Sequence, residues 1–159
     1  MAYNITPEEA LSRAMHICSR QEKCLWDIRK KLNDWNLDEM HIPKVLKKLE
    51  EEKFIDEQRF AGFAVKDKFR LNQWGKIKIA YFLRQKQLPE KIIKEALEAI
   101  QENEYVEMLR DLLQRKRRSL KESDQYKLKA KLLRFAASRG FEQSLVFDQI
   151  DQLLKENGR

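Results

Sequence analysis

The feature that most constrains this chain is a repeat. Shifting the sequence by 51 residues lays Ile28 on Ile79, Leu32 on Leu83, Leu37 on Leu88, Ile42 on Ile93, Leu46 on Leu97 and Leu49 on Ile100. A further shift of 53 lays Phe82 on Phe135, Leu88 on Phe141, Ile92 on Leu145, Ile93 on Val146, Leu97 on Ile150 and Ile100 on Leu153. The matches run through whole apolar faces together with their connections, which chance helix periodicity does not produce. A unit of about 50 residues fits three times into the 159 residues. One such unit buries only a small core, so neighbours are expected to stack. The expected fold is all-α: three tandem three-helix repeats, at 1–53, 54–101 and 102–159, in an elongated, curved array.

Helix punctuation supports the division. Thr6-Pro7-Glu8-Glu9 offers a cap, a first-turn proline and two first-turn acids. The spacing predicts further helices at about 22–33, 40–53 and 103–118. Others open at Asp56, at Trp74-Gly75, at Pro89-Glu90, at Ser123 or Asp124, and at Glu142. Gly140 stands where a helix ends in the left-handed conformation that glycine adopts freely. No window alternates polar and β-branched residues, so no strand is expected.

Composition narrows the class. Hydrophobic residues make up 42% and charged residues 37%, while glycine and proline together number seven. That excludes low-complexity disorder. No apolar run approaches the roughly 20 residues of a membrane-spanning helix. Met1-Ala2-Tyr3-Asn4 has neither the basic start nor the apolar stretch of a secretory signal. With only two cysteines, a reducing, cytoplasmic setting is expected. Repeats that stack within one chain need no second copy, so a monomer is expected.

Charge is distributed in blocks. Residues 66–86 hold seven bases and one acid, a net of +6. Residues 90–111 hold three bases and seven acids, a net of −4. Residues 115–139 hold ten bases and two acids, a net of +8. The two basic blocks fall on equivalent parts of repeats two and three, and the whole chain carries +7. Such asymmetry points to an acidic partner. Lys66, Arg70, Lys76, Lys78, Arg84 and Lys86 form the central candidate block, with Trp74 and Tyr81 interleaved, as suits a phosphate backbone with stacking bases. Lys127, Lys129, Lys131, Arg134 and Arg139 form the second block. The connections are not distinctive of a helix-turn-helix, so base-specific reading is not expected.

No catalytic constellation stands out, and no enzyme activity is expected. His16 and His41 have no nucleophile and base beside them, and the glycines are too scattered for a phosphate loop. Cys18 and Cys24 lack the paired short spacings of a zinc site, so both are expected in the helical core and neither metal nor cofactor is expected.

The segment Leu49-Glu50-Glu51-Glu52-Lys53-Phe54-Ile55-Asp56-Glu57-Gln58-Arg59-Phe60-Ala61 resembles the signature of the bacterial RecX regulatory proteins, with its Asp-x-x-Arg-Phe-Ala element. Trp74 to Ile79 with Leu83 to Lys86 resembles that family's second-repeat helix, and Leu132 to Phe141 its third repeat. Ala14 to Arg20 and Leu25 to Leu32 resemble its first, so the likeness covers about residues 8–155. Gln87 stands where the family often has a helix-ending glycine, with Asn36 at the corresponding place in repeat one. Ala136 and Ala137 are smaller than the residues usual there. The resemblance implies a negative regulator of the RecA recombinase. Such a protein lies in the groove of the RecA filament on single-stranded DNA and inhibits strand exchange, ATPase and SOS co-protease activity. On this reading the two basic blocks are the filament contacts. In the motif, Asp56 is expected to cap, Arg59 to form an ion pair and Phe60 to sit in the core. Alternatives are a DNA-binding protein acting without RecA and a helical scaffold for an acidic protein partner.

Overall fold

The computed structural model describes residues 4–156. Met1-Ala2-Tyr3, read above against a secretory signal, and Gly158, one of the four scattered glycines, lie outside the described residues. The described residues form nine α-helices and one 3-10 turn and contain no strand. The helices are α1 (Pro7–Arg20), α2 (Leu25–Asp34), α3 (Ile42–Glu51), α4 (Glu57–Arg70), α5 (Lys76–Gln85), α6 (Glu90–Glu98), α7 (Glu102–Ser119), α8 (Gln125–Ser138) and α9 (Gln143–Glu156). The 3-10 turn, Glu39–His41, leads into α3. Among the described residues no helix is long and apolar enough to cross a membrane.

Side chains set the helix starts. Thr6 Oγ1 accepts from the Glu9 N–H at 3.1 Å, and Asp56 Oδ1 from the Arg59 N–H at 3.0 Å. Of the two candidates before α8, Asp124 is the cap, accepting from Tyr126 and Lys127 at 2.9 and 3.2 Å. The second helix begins at Leu25 rather than near Glu22. Gln21 is extended, and the Asp27 carboxylate accepts the Cys24 N–H at 3.3 Å, which fixes the start there.

The repeat is written into the helix ends. Asn36, Gln87 and Gly140, equivalent under the 51- and 53-residue shifts, all have positive φ, at 59°, 59° and 90°. Each sits in the same double bond. Asn36 N donates to Asn33 O and Leu37 N to Leu32 O. Gln87 N donates to Arg84 O and Leu88 N to Leu83 O. Gly140 N donates to Ala137 O and Phe141 N to Ala136 O. This is the Schellman ending, with a buried apolar residue following the left-handed one; Leu37, Leu88 and Phe141 are all buried. Ile28, Ile79 and Leu132, also equivalent, are fully buried.

The chain gathers into two compact units whose limits fall inside α4, α5 and α6. The first comprises Met1–Ala64 with Leu83–Lys94. Its core includes Ala10, Ile28, Leu32, Val45, Leu49 and Ile55. The second comprises Val65–Phe82 with Glu95–Arg159. Phe69, Tyr105 and Phe141 run through it as an aromatic column, with ring centroids 5.8 and 5.2 Å apart. Helical spacing from Leu109 and Leu113 alone predicts Val106 on the inner face of α7; the fully buried residue there is Tyr105, and Val106 is half-buried.

Candidate nucleoprotein-contact surface

The motif residues come first. Arg59 pairs with Glu22, Nε to Oε1 at 2.6 Å, and its Nη2 donates to the carbonyls of Lys53 and Phe54 at 3.1 and 3.4 Å. It thereby closes the C-terminal end of α3, where carbonyls carry partial negative charge. Asp56 caps α4 and Phe60 is buried. All three hold the fold locally.

The second unit brings the two basic blocks together where α5 begins and α8 ends. Gly75 N donates to Arg139 O at 2.7 Å, and Ile77 N to Gly140 O at 3.0 Å. Lys76 N donates to the Tyr105 hydroxyl at 2.9 Å, and that hydroxyl donates in turn to Glu142 Oε1. Burial, reinforced by Glu142, pushes the Tyr105 phenol well above its usual range, so it stays a donor. The opening N–H groups of α5, which no residue of the helix itself can satisfy, thus find tertiary partners. A Cβ on Gly75 would stand 2.4 Å from the Gly140 carbonyl, so only glycine permits this approach. Around the junction, Lys78 Nζ donates to Ser138 O at 3.3 Å and Arg139 Nη1 to Asn72 O at 3.1 Å.

The structure changes the weight of several candidates. Read along the chain, the bases looked almost unrelieved by acids. In space the acidic stretch 90–111 supplies counter-charges to the central block. Arg70 meets Glu104 at 3.2 Å, Lys76 meets Glu102 at 3.8 Å and Arg84 meets Glu90 at 2.6 Å. In the second block, Lys129 meets Asp151 at 2.8 Å and Lys131 meets Glu122 at 3.0 Å. Lys86 lies over Trp26 and pairs with Asp27 at 2.6 Å, the least exposed of these pairs. Burial alone would raise the Asp27 carboxyl; hydrogen bonds from Lys86 and the Cys24 backbone override it and hold it below its usual range. Among the described residues, Lys66, Lys127 and Arg134 have no acidic partner. Arg84 and Lys86 belong to the first unit, and the other candidates to the second.

Trp74 does not offer an open ring. Lys68 and Lys78 ammoniums lie 4.9 and 4.6 Å from its centroid, and Phe82 meets it edge-on at 6.2 Å. The accessible aromatic of this region is Tyr81, 61% exposed, which sequence reasoning noted only as a neighbour. The signal was present: Ile77 and Tyr81 lie one turn apart on α5, on the face opposite the buried Ile79 and Leu83.

The cysteines belong to the first unit. Cys24 is fully buried, Cys18 half-buried, and burial lifts their thiols to about 12 and about 11. Thiols so raised are poor nucleophiles. Among the described residues no three His, Cys, Asp or Glu side chains are placed to hold a metal ion.

Tandem three-helix units with a basic junction define a helical-repeat protein. Family comparison gives that class a name. Residues 102–150 match the third three-helix domain of RecX and residues 56–97 the second. The regulatory protein RecX of Clostridium acetobutylicum is 31% identical over 152 residues, covering 93% of this chain and 70% of the relative. That of Chlorobium phaeobacteroides is 31% identical over 148 residues, covering 93% and 95%. That of Clostridium botulinum strain Eklund 17B is 34% identical, and this chain spans 66% of its length. A crystal structure of regulatory protein RecX superposes with a TM-score of 0.84 at 26% identity, over 92% of this chain and 71% of that one. RecX from Lactobacillus salivarius shares the fold, with a TM-score of 0.81. The chain belongs to the RecX family, a family of regulatory proteins rather than enzymes.

Proposed function

We propose that this chain is a negative regulator of the RecA recombinase that binds the RecA filament on single-stranded DNA without catalysis. Family membership carries the reading, because it joins this chain to proteins whose name is regulatory and whose signature resembles that of RecA modulators. The basic junction in the second unit supports it. There α5, α8 and the residue that ends α8 present Lys78, Arg134 and Arg139, and none of the three pairs with a carboxylate among the described residues. The contact surface is then Lys66, Lys78, Lys127, Arg134 and Arg139. Arg70, Lys76, Lys129 and Lys131 contribute only as their ion pairs exchange partners. Many weak contacts to a repeating filament add through avidity.

The test is RecA ATPase on single-stranded DNA, titrated with this protein. Inhibition at stoichiometric amounts is expected, and a flat titration sinks the reading. Combining Lys66→Glu, Lys78→Glu and Lys127→Glu is expected to weaken inhibition about tenfold or more with helicity retained. Tight binding to bare DNA with no added effect of RecA identifies a DNA-binding protein instead.

A further inference from the structure

The second unit contains an apolar cleft of about 420 Å³ beside the basic junction, lined by Ile77 of α5, Leu133, Arg134 and Ala137 of α8, Phe141, and Val146 of α9, with Gln143 at its edge. We propose that this cleft is a docking slot for one apolar side chain, presented between carboxylates on a partner protein.

Three observations converge on that occupant. The first is the shape of the floor. Ala137 is the smallest side chain of the lining and is exposed to the cleft's open side, and the 53- and 51-residue shifts place it on Arg84 and Asn33. Repeats one and two carry a longer polar side chain at this place, so the small floor belongs to repeat three. The second is the wall. Ile77 is 55% exposed although it opens a helix whose start is pinned to Gly140, so its apolar surface stands fixed beside the cleft rather than folding away. Fixed, exposed apolar surface next to a cavity marks an interaction site, and its volume lies at the lower end of the range for ligand pockets. The third is charge. Arg134 on the rim has no acidic partner among the described residues. Neighbouring Lys78 and Arg139 donate to the carbonyls of Ser138 and Asn72 and lie over the Trp74 and Phe135 rings, and neither meets a carboxylate among the described residues. Glu142 is turned to the Tyr105 hydroxyl. An apolar cleft with one such cation in its lining and two more at the adjoining helix ends is complementary to an apolar residue with acidic neighbours.

A protein side chain fits better than a nucleobase. The one aromatic ring of the lining, Phe141, is only 2% exposed and offers no face for stacking, while the other apolar walls are aliphatic. The inference deepens the proposed function and rests on it for the partner's identity.

Two arms test it separately. In the first, the isotope-labelled full chain is titrated with a short peptide holding one phenylalanine between pairs of acidic residues, and amide shifts are followed by NMR. Shifts at Ile77, Leu133 and Val146 are expected, weakened about tenfold by Ala137→Phe, which fills the floor, and by Arg134→Glu. Amides that do not move, or that move equally in both variants, overturn the slot. So does a thymidine oligonucleotide that moves the same amides more tightly than the peptide. Arg134→Glu lies on the exposed rim and decides the matter if Ala137→Phe does not fold. In the second arm, the same variants meet the RecA filament on single-stranded DNA. A loss of about tenfold or more with Ala137→Phe supports the slot, since Arg134 is a filament contact by charge in any case. Wild-type binding that both variants retain overturns the slot but spares the RecA reading. Wild-type protein that ignores the filament removes the RecA reading, and the peptide arm then decides the slot alone.

Discussion

Glu57, the first residue of α4, shows how far a single side chain can depart from its ordinary chemistry. Burial pushes its carboxyl up to about 7, the charges of Glu50 and Asp27 add to this, and the Leu25 backbone N–H opposes it. Its Oε2 is buried without a hydrogen-bond partner. The carboxyl therefore holds its proton more tightly in the fold than in the unfolded chain. The stability this gives is fully present below the ordinary value of 4.5 and is lost as pH rises through about 7. Glu57→Gln, which keeps an acceptor for Leu25, is expected to exceed wild type by on the order of 1 kcal/mol at high pH, allowing for partial solvent screening. The gap should close as pH falls to the ordinary carboxylate range. Urea titrations across the acid-to-neutral range check this, and a gap that does not vary with pH refutes it. At this scale the sequence was legible only where chemistry is local. Asp56 and Thr6 announce themselves as caps by position. Nothing in the chain's order announced that Lys86 would meet Asp27, or that Trp74 would lie between two lysines, because those partners are chosen by packing.

At the scale of elements, the helix ends carry the repeat more faithfully than the helix faces do. Three equivalent left-handed residues close equivalent helices, yet only Gly140 is a glycine. Gln87 bears a Cβ at a φ of 59°. Gln87→Gly is expected to stabilise the protein by about 0.5–1 kcal/mol, because the relief of left-handed strain exceeds the added chain entropy. Thermal or urea unfolding checks the sign. Gly75 is the opposite case. Its substitution by alanine drives a Cβ into backbone rather than into a yielding side chain. Gly75→Ala is expected to cost about 1–3 kcal/mol and to disturb the Gly140 and Phe141 amides in NMR spectra. A neutral outcome would show that the two backbones separate freely. Helix spans followed from apolar periodicity to within a few residues. The start of α5 followed as well, at Trp74-Gly75, but its capping partners did not, because a Trp-Gly pair looks like an ordinary opening. Its real caps are Arg139 O, Gly140 O and the Tyr105 hydroxyl, from distant parts of the sequence.

Over the whole molecule, the net charge of +7 conceals a pairing of blocks. In sequence the acidic stretch 90–111 separates the two basic ones. Its Glu90, Glu102 and Glu104 instead meet Arg84, Lys76 and Arg70. That has a measurable consequence for salt dependence. If all eleven candidate bases met phosphates of a single strand, log affinity would fall against log salt with a slope near eight. With only the five unpaired bases engaged, a slope of about three to four is expected. Oligonucleotide binding across a salt series distinguishes the two, and the steeper value would mean that the ion pairs open on contact. The fold class was readable because a repeat states its period three times. The contact surface was readable only as a region. Linear charge counts bases but does not see the acids that fold back to meet them.

The tertiary capping of α5 also bears on the order in which the chain acquires structure. The start of this helix is completed by carbonyls more than sixty residues downstream. During synthesis, α5 therefore emerges with its first amides bonded only to water until α8 and the turn after it arrive. Long-range closure of this kind slows folding relative to a bundle built from neighbours. It also ties the release of a stable second unit to completion of the third repeat.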